Sequence, residues 1–289
     1  MIHPKYININ RILGAMTFLI SFIVYFDTMA PSVSYWDCGE FIAVSYTLGV
    51  PHPPGSPLFL LLGRIASMLP ISEDIAFRVN LLSPLASAFS VLFLYFIIVQ
   101  LVNHWRGKIE TNTDALIAFG AGIVGSLTFA FTDSHWFNAV EAEVYAFSTF
   151  FTAIVVWLAL LWSEKADEKG NERYILIIAY MIGLATGLHL LNLLTIPFVA
   201  LLIYFKKYKF EWTSFSILVV VTGLVFFVIH NVIIKGMPKI ADAIGVSATA
   251  LLVITIFASM VWAILNHKQL LSIVLTSIVL VLIGYSTYA

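Results

Sequence analysis

Ile12-Leu13-Gly14-Ala15-Met16-Thr17-Phe18-Leu19-Ile20-Ser21-Phe22-Ile23-Val24-Tyr25-Phe26-Asp27-Thr28-Met29 is the run whose reading decides the fold class. Its one charge, Asp27, sits near the end. At about 1.5 Å per residue it reaches most of the way across a hydrocarbon layer about 30 Å thick. It is too long for the core of a signal peptide, and Ala30-Pro31 after it makes a poor cleavage site, so it reads as a retained first helix. Working outward, runs of the same kind recur at 84–102, 115–131, 144–162, 174–190, 191–205, 214–234, 245–265 and 270–288. Pro197 is expected to bend the run at 191–205, the sixth span of the chain. The chain is 61% hydrophobic and 11% charged, with a mean hydropathy of +0.97. A soluble domain is about 45–50% apolar and about 25% charged. The expected fold is therefore all-α, a polytopic transmembrane helix bundle of about nine spans in a single domain over 1–289.

Several classes drop out at once. A net charge of −1 offers no electrostatic footprint for nucleic acid. One cysteine, Cys38, excludes an internal disulfide and a multi-cysteine metal site. The sequence holds no P-loop, no GxGxxG, no GxSxG and no HExxH.

Basic residues set the expected orientation. With the N-terminus cytoplasmic, the inner side collects Lys5, Arg11, Arg106, Lys108, Lys165, Lys169, Arg173, Lys206, Lys207, Lys209 and Lys268. The outer side has only Arg64, Arg78, Lys235 and Lys239. That choice gathers Asp37, Glu40, His52, Asp133, His135, Glu141, Glu143 and His189 on the extracytoplasmic face.

The first outer loop, 31–83, is expected to carry the active site. Two apolar pieces there, 41–50 and 58–69, are too short to span and are flanked by Pro and Gly, so they read as helices lying at the interface. Asp37 and Glu40 are three apart and share a helix face. Two acids so close near a membrane are expected to push one carboxyl up, as a general base for a hydroxyl proton requires. Solvated acids in an exposed loop are the plain alternative, and Tyr35 and Trp36 would equally serve as interfacial anchors. Pro51-His52-Pro53-Pro54-Gly55-Ser56-Pro57 is a stiff turn, a good mount for His52. Arg64, in an apolar piece, must snorkel or pair. A phosphate would satisfy its forked donors, as would an ion pair with Asp37 or Glu40. Glu141 and Glu143 lead into the fourth span; His189 and Asn192 sit at the corner between the fifth and sixth. Asp37, Glu40, His52 and Glu141 together could hold a divalent metal, Mg²⁺ or Mn²⁺ before Zn²⁺.

The Trp36-Asp37-x-x-Glu40 element followed by His52-Pro53-Pro54-Gly55 resembles the GT-C superfamily of glycosyltransferases that use polyprenyl-phosphate sugars. It is most similar to a bacterial multi-pass membrane family related to protein O-mannosyltransferases. The segments 35–41, 51–59, 137–145 and 187–197 carry the likeness. The resemblance implies a GT-C-like fold in a bacterial inner membrane. It implies a lipid-linked sugar donor, mannose foremost, and a secreted or membrane protein whose Ser or Thr hydroxyl accepts the sugar with inversion. It assigns Asp37 as base with Glu40 beside it, His52 and Arg64 to the donor phosphate, and Trp36, Glu141, Glu143, His189 and Asn192 to substrate binding. The acids here are separated by Cys38-Gly39 rather than adjacent, so either could be the base. Members of the family are usually longer, so this chain is expected to be an N-terminal portion. A transporter binding an ion or solute through the same acids and histidines is the competing reading. It fits less well, because transporter sites lie near the midplane on related halves. A non-catalytic scaffold would make no demand on Asp37 or His52.

Overall fold

The computed structural model describes residues 2–53 and 55–286. Among the described residues every regular element is helical. That is the solution lipid imposes, because a backbone without water must satisfy its own N–H and C=O groups. Among the described residues seven helices are long and apolar enough to cross a membrane, and the chain is a multi-pass membrane domain. Contacts divide it into two units, 1–160 with 187–189, and 161–186 with 190–289.

The first unit holds the polar loops. Pro4–Asp27 (α1) starts at a proline capped by His3, a residue with no amide N–H to leave unpaired. Cys38–Thr47 (α2) and Pro57–Ser67 (α3) are the two short helices of the first loop, and Ile75–Asn80 (α4) runs directly into Leu82–Arg106 (α5). Asn112–Ala130 (α6) opens on a capping box in which Thr111 and Asp114 satisfy each other's backbone. Asp133–Ala139 (α7) and Val144–Glu164 (α8) complete the order.

Small residues and buried hydroxyls hold α1, α5 and α6 together, as expected where lipid supplies no hydrophobic drive. A Cβ on Gly122 would stand 2.8 Å from the Tyr95 ring, so α5 and α6 approach closely only because that side chain is missing. Tyr25 donates to the Ala130 carbonyl at 2.7 Å and Tyr95 to Asn10 at 3.0 Å. The two ends of the unit are tied separately. At one, the His3 N–H donates to the Ile109 carbonyl at 3.1 Å and Tyr6 donates to Asn112 at 2.7 Å. At the other, the Ala30 N–H donates to the Val140 carbonyl at 2.8 Å. The loops after α1 and after α6 are thus on one side, as the expected span parity requires.

The second unit contains Glu172–Thr186 (α9), Thr195–Lys207 (α10), Trp212–Phe227 (α11), Gly236–Ile244 (α12), Val246–Leu265 (α13) and Gln269–Tyr285 (α14). The first and last are two of the about nine spans expected from hydropathy. They have 15 and 17 residues, about 22 and 26 Å of helix. The expected span 174–190 ends early because its polar corner becomes a turn and a 3-10 helix, Leu190–Leu194. Positions 287 and 288 of the last expected span lie outside the described residues. Gly183 and Gly284 let α9 and α14 meet backbone to backbone: a Cβ on Gly183 would stand 2.5 Å from the Val281 carbonyl oxygen. A π-helical stretch, Val228–Ile234, follows α11, and the Tyr285 hydroxyl donates to its last carbonyl at 2.9 Å.

Candidate active site

The site is built on the N-terminus of α2. Asp37 occupies the cap position without using its carboxylate to cap, and that side chain is 57% exposed. Glu40, one turn on, faces the stiff turn carrying His52. One oxygen of Glu40 accepts the His52 backbone N–H at 2.7 Å and the other lies 2.6 Å from the ring Nδ1. The second ring nitrogen, Nε2, is 3.9 Å from Asp37. The imidazole therefore lies between two carboxylates. Its hydrogen bond to Glu40 raises the His52 pKa, with the Asp37 charge adding to it, and the same bond holds the Glu40 carboxyl below its ordinary range. The expectation of a raised carboxyl in the Asp37–Glu40 pair thus does not hold for Glu40, because the side-chain and backbone hydrogen bonds from His52 lower it.

Rigid packing sets this geometry. His52 rests on Phe41, ring centroids 5.8 Å apart; Phe41 meets Phe59 at 5.4 Å and Phe59 meets Phe147 of α8 at 5.9 Å. Ser56, which holds a left-handed φ of 44° before Pro57, donates to the Leu188 carbonyl at 2.8 Å. The Leu58 N–H donates to the Gly187 carbonyl at 2.9 Å. Pro54, in the same turn, lies outside the described residues. Trp36 also has a positive φ, 61°, rare for a bulky side chain and costing about 1–3 kcal/mol; its indole projects 85% exposed beside Asp37.

Beneath this exposed triad is a buried acidic layer. Cys38, fully buried, puts Sγ 3.8 Å from Glu143 Oε1. Glu141 and Glu143 are each only 6% exposed, and Oε1 of Glu141 meets no hydrogen-bond partner among the described residues. Burial pushes the Glu143 carboxyl up to about 7, helped by the charges of Asp37 and Glu141. It pushes the Cys38 thiol up to about 12, with Glu141 and Glu143 adding to the effect. The raised carboxyl of the site is therefore Glu143.

The remaining expected residues are dispersed. Arg64, in the last turn of α3, donates to the Tyr46 carbonyl at 2.7 Å and covers the Tyr46 ring. It caps the C-terminus of α2, the end away from Asp37 by nine residues, about 14 Å of helix. His189 packs against Tyr145, ring centroids 5.2 Å apart and planes tilted, in the first unit. Asn192 belongs to the second unit, where it is buried and donates to the Ala185 carbonyl at 3.3 Å. His135 is buried against Phe129 and Tyr25, and desolvation lowers its pKa to about 4; it is a neutral packing group. Asp37, Glu40 and His52 each offer a ligand atom within 4.8 Å of the others. Glu141 is not in that group. Two of those atoms, His52 Nδ1 and Glu40 Oε2, share the 2.6 Å hydrogen bond.

Sequence reasoning passed over Asn80. Fully buried, it donates to the carbonyls of Ala30 and Ser32, both at 2.9 Å, and accepts the Ala142 N–H at 3.1 Å. One amide thus joins the loop carrying Asp37 to the loop carrying Glu143. The signal available was an uncharged polar side chain at the mouth of an apolar run, a weak one without a partner in view.

Residues 37–212 match the family described as "Protein O-mannosyl-transferase TMEM260 N-terminal domain". The chain belongs to this family. The match begins at Asp37 and takes in every site residue discussed above except Trp36. Among curated relatives, the protein O-mannosyl-transferase tmem260 of Dictyostelium discoideum is 30% identical over 227 residues, which is 73% of this chain and 25% of that protein. The protein O-mannosyl-transferase TMEM260 of Mus musculus is 29% identical over 162 residues, 56% of this chain and 21% of that protein. The chain thus spans about a quarter of the length of these family members. No solved structure matches it.

Proposed function

We propose that this chain is the membrane part of a protein O-mannosyltransferase that moves mannose from a polyprenyl-phosphate donor to a Ser or Thr hydroxyl of a protein, on the extracytoplasmic face. Asp37 is the general base. It takes the hydroxyl proton, the freed oxygen forms a bond to the anomeric carbon, and the bond from that carbon to the lipid phosphate breaks. One displacement inverts the anomeric centre, and the lipid phosphate leaves. His52, whose pKa is raised by its bond to Glu40, lies 3.9 Å from Asp37 and, when protonated, would offer the departing phosphate a positive group.

The observation carrying this reading is the unequal use of the two acids. Both oxygens of Glu40 are bound by His52, whereas Asp37 is exposed and makes no capping bond. Glu40 then orients the imidazole and Asp37 is free to accept a proton. Family membership supports the chemistry.

The test is transfer from polyprenyl-phosphate mannose to a Ser/Thr acceptor by the full-length protein in nanodiscs. Asp37→Asn is expected to lower turnover by about 10²–10⁴-fold, the usual worth of a general base, while the protein still inserts and folds. Glu40→Gln, which keeps the shape but weakens the hold on His52, is expected to cost less. Wild-type turnover in Asp37→Asn would sink the assignment.

A further inference from the structure

The three most exposed large apolar side chains among the described residues are Val50, Tyr35 and Trp36, at 90%, 87% and 85%. None is on a membrane-spanning helix. They stand in the loops at the two ends of α2. Apolar surface gathered in this way marks a face that meets a partner. The backbone holds these side chains out. Trp36 keeps its left-handed φ without a glycine, and Leu48, between α2 and Val50, keeps one of 52°. Such strain gathers at ligand-binding sites, where the surrounding structure fixes it. Here the Ser32 carbonyl, just upstream, accepts from Asn80 at 2.9 Å, and Val33 packs so closely on Gly39 that a Cβ there would stand 3.3 Å from its Cγ1.

Both groups adjoin the triad. Trp36 directly precedes Asp37, and Val50 stands two residues before His52, at most about 7 Å along the chain. Glu40 binds that histidine, so the turn carrying Val50 is folded back toward the first turn of α2. A hydroxyl that gives its proton to Asp37 must come within about 3 Å of the carboxylate. In an extended polypeptide the residues on either side of it lie only about 3.3 Å further along, within reach of the indole. An indole sunk in the bilayer would instead draw the adjoining carboxylate toward hydrocarbon, where a charge is costly.

We propose that Tyr35, Trp36 and Val50 are the acceptor-docking surface: they receive an extended segment of the acceptor polypeptide and favour apolar side chains next to the Ser or Thr that gives up its proton. This deepens the transferase reading above and rests on it. The surface adds no chemistry. It tightens acceptor binding by burying apolar area on both partners, and it selects among hydroxyl residues by their neighbours. Asp37 and Glu40 select in the same sense, because an acidic neighbour in the acceptor would meet like charge.

The test uses the full-length protein in nanodiscs, polyprenyl-phosphate mannose and synthetic heptapeptides with one central Thr flanked on both sides by Leu or by Gly. The Leu-flanked peptide is expected to show an acceptor KM lower by about threefold to tenfold, the worth of half-burying one apolar side chain. In Trp36→Gly that ratio is expected to fall toward one. The substitution removes the backbone strain along with the indole, so the melting temperature is expected to hold. A merely structural role would weaken both peptides alike and leave the ratio intact. That result, or no preference in the wild type, overturns the proposal. Should Trp36→Gly fail to fold, or neither peptide be glycosylated, fluorescence decides. The emission that wild type has and Trp36→Phe lacks is expected to be quenched by aqueous acrylamide and spared by brominated lipid; quenching by brominated lipid identifies a bilayer anchor and overturns the proposal. Failure here with an inactive Asp37→Asn leaves the transferase reading standing; an active Asp37→Asn removes both.

Discussion

Asp37 and Cys38 are neighbours with opposite fates, because the first turn of α2 sends one side chain to solvent and the other inward. Asp37 keeps its carboxylate in water, as the role of base proposed for it requires. Cys38 is fully buried against Glu143, and its thiol is pushed up to about 12. Since only the thiolate reacts readily, the folded protein in detergent at pH 8 is expected to resist maleimide on a timescale that fully labels it after denaturation. Rapid labelling of folded protein would show that the head of α2 opens, and with it the buried acidic layer. Of the residues that make the site, the Asp37–Glu40 spacing and the stiff mount of His52 were readable from the sequence, because local geometry fixes both. Asn80 and the burial of Glu143 were not, since each depends on a loop more than fifty positions away.

Elements obey the same distinction. Hydropathy located the long helices, because length and apolarity are what a bilayer selects. It also located α2 and α3 in the first loop, from apolar pieces bounded by Pro and Gly. It ran α9 too far, since a window average cannot register that Asn192 and its neighbours bind backbone in a 3-10 turn. Nor does hydropathy record how closely two helices approach. Gly183→Val in α9 would drive side-chain atoms into the α14 backbone, an overpacking expected to cost about 1–3 kcal/mol. Gly223→Ala in α11, where an added Cβ meets nothing within 4 Å, is expected to leave stability within about 0.5 kcal/mol. Thermal unfolding of the two variants in the same detergent checks the contrast. Equal melting temperatures would mean that α9 and α14 are not in backbone contact.

For the whole molecule, two buried groups give stability a pH signature. Glu143 titrates at about 7 in the fold against 4.5 unfolded. Its pKa is raised, so the stability it contributes is complete below pH 4.5 and is lost as pH rises through 7, about 3 kcal/mol in all. His135 titrates at about 4 against 6.5. Its pKa is lowered, so its contribution is complete above pH 6.5 and is lost as pH falls through 4, by a similar amount of about 3 kcal/mol. Between 4.5 and 6.5 the two slopes oppose, and the wild-type melting temperature is expected to be nearly level. In Glu143→Gln the opposing slope is gone and that of the buried histidines, His135 foremost, remains, so stability is expected to climb across that interval. Parallel curves for the two proteins would refute the burial of Glu143 in solution.

What the sequence determined by itself was the class of molecule, a helical multi-pass membrane domain with its ionisable residues gathered in the loops. Backbone desolvation leaves long apolar runs no other solution, and that constraint acts on each run alone. Tertiary structure decided which of those ionisable residues form one site. Helices α1, α5 and α6 pair the loops at one end, and Asn80 binds two of them together. Arg64 is drawn away to the far end of α2 and Glu143 is set beneath its head. Those outcomes depend on contacts between distant segments, and no local pattern of apolar and polar residues encodes them.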